Sequence, residues 1–190
     1  MKDFNFLFNK KLWSDFLNYS FSETANDLGF EKTMVIAYTL LYNEEWDENL
    51  QEEAVNLLFF LKKHYASNWN IDWKNDAFLG LACKITLKYS ERYAALQEAF
   101  EKASKPPPEL LIELARCCYS PGSPAISYER AIDLLKQSLK IHPYKEAATL
   151  LKAIYVSKKD TCNENYWSKM MEQINDENPP PLEPDFIKKY

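Results

Sequence analysis

The sequence predicts an all-α chain of antiparallel helical hairpins stacked side by side, and three observations carry that expectation. Tyr93, Leu96, Phe100, Ala103 and Pro108 are echoed at a constant offset of 35 residues by Tyr128, Ala131, Leu135, Ser138 and Pro143. A period of that length marks a helical unit that must stack on neighbours to bury its apolar face. Leu, Ala, Lys and Glu also recur at helical spacing over long stretches. Only three glycines occur in 190 residues, which argues against glycine-dependent phosphate loops and against a turn-rich β fold. Apolar and aromatic residues make up 46% of the chain, enough for the core of one domain or one continuous solenoid.

Residues 1–30 are rich in aromatics, from Phe4 and Phe8 through Trp13 to Phe30. They are expected to form a degenerate N-terminal cap over the open end of the stack, a detachable partner-binding arm being the alternative. A short helix is expected over 12–18. A second follows Ser22, with Glu23 suited to its first turn.

The repeat domain is placed at 31–178. Met34, Val35, Ala37, Tyr38 and Leu41 supply its first apolar stripe. The segment 43–53 then carries Glu44, Glu45, Asp47, Glu48, Glu52 and Glu53 around Trp46 without a base. Ala54, Leu57, Leu58, Leu61 and His64 form the partner helix of this degenerate first hairpin. Asn75 is the expected cap of a helix carrying Phe78, Leu79, Ala82 and Ile85, and Ser90 that of the next, whose face is Tyr93, Leu96, Phe100 and Ala103. The prolines at 106–108 stop that helix, because proline lacks the amide donor and constrains its predecessor.

The next hairpin spans 109–141. Leu110, Leu111, Leu114, Ala115 and Cys118 point inward, and Glu113 and Arg116 outward. The turn from Ser120 to Pro124 is long, Ser127 caps the second helix, and His142-Pro143 closes it. A third, weaker copy pairs Ala147, Leu150, Leu151, Ile154 and Tyr155 with Trp167, Met170, Met171 and Ile174. The Pro-rich tail 179–190 cannot continue a helix. It reads as an extended strap or a disordered end, with Phe186 and Tyr190 as the side chains that would pin a strap.

The stretch YERAIDLLKQSLKIHP from Tyr128 to Pro143 resembles the second helix of a tetratricopeptide-type repeat. That pattern has a Tyr, an Ala, a large apolar residue, a second small residue and a closing Pro. In the earlier copy Leu96 replaces the first Ala. The small residue expected in the first helices falls at Ala82, Ala115 and Ala153. The resemblance covers about 75–179, is strongest over 110–143, and lacks the tryptophan and glycine typical of the first helix. It implies a right-handed solenoid that binds peptides or folded proteins along a concave surface lined by first helices. An irregular helical bundle is the competing architecture.

Two surfaces are candidates for binding. Lys84, Arg116 and Lys152 recur at intervals of one repeat, with Lys88, Glu113 and Tyr119 on neighbouring positions, and would suit the carboxylates of an acidic peptide. The second is Glu44, Glu45, Trp46 and Asp47, where acids around an aromatic would mask a basic surface such as that of a nuclease or other cationic toxin. An ordinary solvated surface competes with both readings.

Charge and chemistry narrow the classes further. Residues 1–76 carry 13 acids against 7 bases, residues 77–159 carry 8 against 13, and residues 160–190 carry 7 against 3. The modestly basic middle supplies less positive field than a nucleic-acid binder ordinarily needs. No secretory signal is read at the start, where Asp3 and a broken apolar patch precede two lysines, and no segment reaches membrane-spanning length. Cys83, Cys117, Cys118 and Cys162 are too irregular for a disulfide scaffold or a zinc site, so a cytoplasmic address is expected. His64 and His142 sit at helix ends as C-terminal covers, and no phosphate loop, HExxH or GxSxG motif occurs.

The expected function is therefore that of a non-enzymatic protein-binding module. In its sharpest form it is a stoichiometric inhibitor or immunity-type protein masking a basic toxin or effector. An adaptor, secretion chaperone or assembly factor is the first alternative. An enzyme with dispersed catalytic residues among Glu113, Arg116 and Tyr119 is the second. No cofactor, metal, nucleic acid or membrane is expected.

Overall fold

The computed structural model describes residues 4–44, 46–121, 125–176 and 178–190. Glu45, and Gly122, Ser123 and Pro124 of the expected turn, lie outside the described residues, as does Asp3. Among the described residues all regular structure is helical: α1 (Phe4–Asn9), a 3-10 segment (Trp13–Asn18), α2 (Phe21–Leu41), α3 (Glu48–His64), α4 (Ala66–Trp69), α5 (Trp73–Ile85), α6 (Tyr89–Lys102), α7 (Pro108–Ala115) with a 3-10 extension (Arg116–Tyr119), α8 (Tyr128–Ile141), α9 (Lys145–Ser157), α10 (Thr161–Glu172) and a closing 3-10 turn (Asp185–Lys189). Two compact units result. Unit 1 comprises Met1–Lys88 with Glu183–Tyr190, and unit 2 comprises Tyr89–Leu182.

Unit 1 is organised around α2, α3 and α5, with α2 packed along α3 and α3 against α5. The helix expected after Ser22 begins two residues earlier. Ser20 Oγ accepts from the Glu23 N–H while the Glu23 carboxylate accepts from the Ser20 N–H, a reciprocal cap that satisfies two orphan donors. Gly29 interrupts α2 with φ 80° and ψ 173°, a conformation open essentially to glycine alone. The segment expected as a helix over 12–18 is a 3-10 turn, with Phe16 buried. The cap of α5 is Asp72, whose Oδ1 accepts from the Lys74 N–H at 2.9 Å. Asn75, the cap expected from sequence, is instead buried inside the helix. Met34, Ile36, Leu58, Leu61, Phe78 and Leu79 fill the core, each worth about 1.5–3 kcal/mol on burial. Residues 183–190 return to this unit: Phe186 meets the Phe30 ring, Tyr190 the Phe8 ring, and Lys74 Nζ donates to Asp185 Oδ1 at 2.7 Å.

Unit 2 is a succession of packed helices: α6 on α7, α7 on α8, α8 on α9 and α9 on α10. The tightest pairings there, α7 with α8 and α9 with α10, are hairpin-like. Pro108 starts α7 at its first turn, where its missing amide costs nothing, and Ser127 Oγ caps α8 by accepting from the Arg130 N–H at 3.2 Å. Leu96, Leu110, Leu111, Leu135, Leu151 and Ile154 are fully buried or nearly so. Ser138 is buried as well, and its Oγ donates to the Pro108 carbonyl at 3.2 Å. The buried face of α6 differs in phase from the expected one. It is Arg92, Ala95, Leu96 and Ala99, with Ser90 inside the helix and Tyr93 and Phe100 only partly covered.

Candidate functional site

Of the acidic run around Trp46, Glu48, Glu52 and Glu53 lie in α3, while Glu44 and Asp47 lie with Trp46 in the turn between α2 and α3. Asn43 ties it together. Its Nδ2 donates to the Leu40 carbonyl at 2.8 Å, and its Oδ1 accepts from the Asp47 N–H at 2.9 Å. Asp47 Oδ1 in turn accepts from the Asn49 N–H at 2.8 Å and caps α3. Trp46 sits inside this hydrogen-bonded turn at φ 53°, with 64% of its surface exposed. A left-handed backbone costs an ordinary residue about 1–2 kcal/mol, and an exposed indole forgoes most of the stabilisation its burial would bring. The turn holds it there regardless. Glu44 and Asp47 help to line an open cleft of about 690 Å³, together with Lys11, Trp13, Tyr42 and Leu50. Its wall thus combines acids with large apolar side chains.

The residues of the proposed basic row fall in different places. Lys84 and Lys88 belong to unit 1, Arg116 and Lys152 to unit 2. Lys88 Nζ lies 2.7 Å from Glu52 Oε2, so a base of the row meets an acid of the run around Trp46. In unit 2, Arg92 Nη2 donates to Glu113 Oε2 at 3.0 Å. Arg116 Nε lies 3.4 Å from Glu113 Oε1, and Arg116 Nη2 pairs with Glu146. Four charges of alternating sign therefore link α6, α7 and α9. Glu113 is on the outward side of α7, as its spacing implies, yet its side chain is only 15% exposed. Lys152 is partly covered.

Tyr119 lies at the end of the 3-10 extension of α7, its ring 5.9 Å from that of Tyr128. Burial, with the neighbouring Cys118 and Tyr128, pushes its phenol up to about 12. It stays a neutral phenol near pH 7, a poor state for a general base. Burial likewise pushes the Cys118 thiol up to about 11, which disfavours the thiolate a nucleophile needs. Cys83, Cys117 and Cys118 are buried free thiols and Cys162 is an exposed one. Among the described residues no group of three or more His, Cys, Asp or Glu is placed to hold a metal ion, and no helix is long and apolar enough to cross a membrane.

No family model, curated protein or solved structure matches the chain. Its helices in packed pairs are consistent with a helical-repeat fold.

The sequence reading missed the burial of three polar side chains: Asn75, read there as a helix cap, Asp76 and Arg92. Each interrupts an apolar face, Arg92 that of Ala95, Leu96 and Ala99, and Asn75 and Asp76 that of Ala77, Phe78 and Leu79. A polar residue on the buried stripe of a helix was the signal available, since such a group needs a partner from elsewhere in the fold.

Proposed function

We propose that the chain is a non-enzymatic, tetratricopeptide-like binding protein that masks a basic surface on a protein partner, using Glu44, Trp46 and Asp47 in the turn between α2 and α3 of unit 1. The observation that carries this reading is Trp46, exposed and left-handed within a turn held by Asn43 and Asp47. Backbone strain and an exposed aromatic both oppose folding, and a partner that buries the indole would offset them. The surrounding acids supply complementarity to a cationic surface and would accelerate encounter, so association is expected to weaken as salt rises. A basic toxin or nuclease held in a one-to-one complex is the partner class that fits, with unit 2 read as right-handed tetratricopeptide-like hairpins.

The test is affinity purification of the tagged chain from its native cell, beside a Trp46→Ala variant, with the captured partner then measured by calorimetry. A basic protein at one-to-one stoichiometry is expected, with affinity falling about tenfold or more in the variant, the loss typical of an aromatic hot spot. Equal capture by both forms, or an acidic partner whose binding ignores salt, would overturn the reading.

A further inference from the structure

Residues 183–190 lie on unit 1 in the manner of a bound peptide. We propose that this segment is an exchangeable ligand of unit 1, and that the surface beneath it takes the same segment from a second copy of the chain. The inference is independent of the Trp46 turn.

The segment has its own local structure. The Ile187 N–H donates to the Pro184 carbonyl at 3.1 Å, and a 3-10 turn covers Asp185–Lys189. Such a turn repeats every three residues, so Pro184, Ile187 and Tyr190 share one face. Pro184 and Ile187 are buried on that face, while Lys188 and Lys189 point to solvent. The receiving surface is assembled from three helices. Phe8 of α1 meets the Tyr190 ring edge to face at 5.6 Å, Phe30 of α2 meets the Phe186 ring at 6.3 Å, and Lys74 of α5 donates to Asp185 at 2.7 Å. Tyr38, also of α2, hydrogen-bonds to Glu183. Aromatic and aliphatic anchors with one charged contact to set the register are the means by which a groove reads a peptide.

These attachments run through side chains, so the segment can leave without breaking a main-chain ladder. Asp185 is 76% exposed in its ion pair, and exposed pairs hold weakly. The open cleft of about 450 Å³ beside Gly29 has Phe186 and Tyr190 in its wall, so one flank of the segment faces free space. Residues 178–182, which lead to it, have no regular structure and include Pro179, Pro180 and Pro181. A proline-rich linker stays extended, which lets it carry the segment to a neighbouring molecule. Exchange of an identical element remakes every contact it breaks, which is why it is a low-cost route to a dimer.

The probe is a fluorescently labelled peptide of residues 181–190, titrated with the full chain and followed by anisotropy. It is expected to bind a Phe186→Ala chain about tenfold or more tightly than the unaltered chain, whose own segment competes at the effective concentration its linker sets. A peptide carrying Phe186→Ala should bind that chain about tenfold more weakly than the natural peptide. The second copy is tested by complementation. The Phe186→Ala chain keeps an intact surface, and a Phe30→Ala chain keeps an intact segment. Light scattering should find each alone monomeric and their mixture containing a one-to-one dimer. Equal peptide binding by the unaltered and Phe186→Ala chains, no binding at millimolar concentration, or a mixture of folded variants that stays monomeric would overturn the proposal. Should Phe30→Ala unfold, Lys74→Glu replaces it in the mixture, and the peptide titration stands without either.

Discussion

The indole N–H of Trp69 donates to Asp76 Oδ1 at 2.8 Å, with both side chains fully buried in unit 1. Lys62 Nζ reaches the same oxygen at 3.0 Å. Removing the carboxylate would strand a buried indole donor and take one counter-ion from the Lys62 ammonium. Asp76→Ala is expected to cost about 3–5 kcal/mol in urea unfolding, the range for breaking a buried charged pair. Asp76→Asn, which keeps an acceptor for the indole, should cost distinctly less. A loss below about 1 kcal/mol for Asp76→Ala would show that water replaces the carboxylate without difficulty.

Glu113 stands between two arginines, and the two are not equally exposed. The Arg92 side chain is 6% exposed and that of Arg116 29%. Glu113→Gln is expected to destabilise by about 3 kcal/mol, because Arg92 would keep a buried charge without a counter-ion. Glu146→Gln should cost about 1 kcal/mol or less, since Arg116 retains Glu113 and some solvent. The ranking is read from thermal or denaturant midpoints, and a reversed order would refute this account of the cluster.

Gly29→Ala isolates a backbone effect. No atom lies within 4 Å of the added methyl, so sterics with neighbours contribute nothing, while φ 80° with ψ 173° is closed to alanine. A loss of about 1–3 kcal/mol is expected. Far-UV circular dichroism beside the denaturation curve separates the two possible responses. A stability loss at constant helicity means the break persists under strain; higher helicity at little cost means α2 straightens.

Lys74 donates to the Asp185 carboxylate and holds its pKa below the ordinary value, with Lys188 adding to the effect. A carboxyl whose folded pKa is depressed contributes stability above the unfolded pKa of about 3.9, and loses it as pH falls through the folded value. Attachment of residues 183–190 should therefore weaken in acid below about pH 4. The pair is exposed, so the direct readout is the Asp185 carboxyl shift by NMR. Its midpoint should rise toward the ordinary carboxylate value in Lys74→Met and stay unchanged if the ion pair is absent in solution.

Much of the helical plan was legible because its signals are local. Pro108 at the first turn of α7, Ser127 at the cap of α8, and the burial of Leu96, Ala131, Leu135 and Ser138 follow from spacing and from the chemistry of helix ends. The Ser20–Glu23 capping box was equally legible, as a serine followed three residues later by glutamate, yet Ser22 is the more obvious neighbour of the same glutamate. The phase of α6 was not legible. Arg92 is buried because Glu113, on another helix, neutralises it, and no window of sequence contains both. The same limit applies to the site. Acids around Trp46 could be read directly, whereas the left-handed backbone depends on Asn43 and Asp47 closing the turn together. Pairing of Arg116 with Glu146, or of Lys88 with Glu52, is a tertiary event invisible to charge counting.

Residues 183–190 belong to the unit that the chain left at Lys88. In the order of synthesis, unit 2 is thus an insertion, and unit 1 receives its last segment only after all of unit 2 has been made. The Lys74–Asp185 contact closes a loop of 111 residues. Such closure carries an entropic cost that grows only slowly with length, but it delays the step until distant parts of the chain meet. The N-terminal unit would accordingly be the later of the two to reach its final form, with Phe8 and Phe30 lacking their partners Tyr190 and Phe186 while the nascent chain grows.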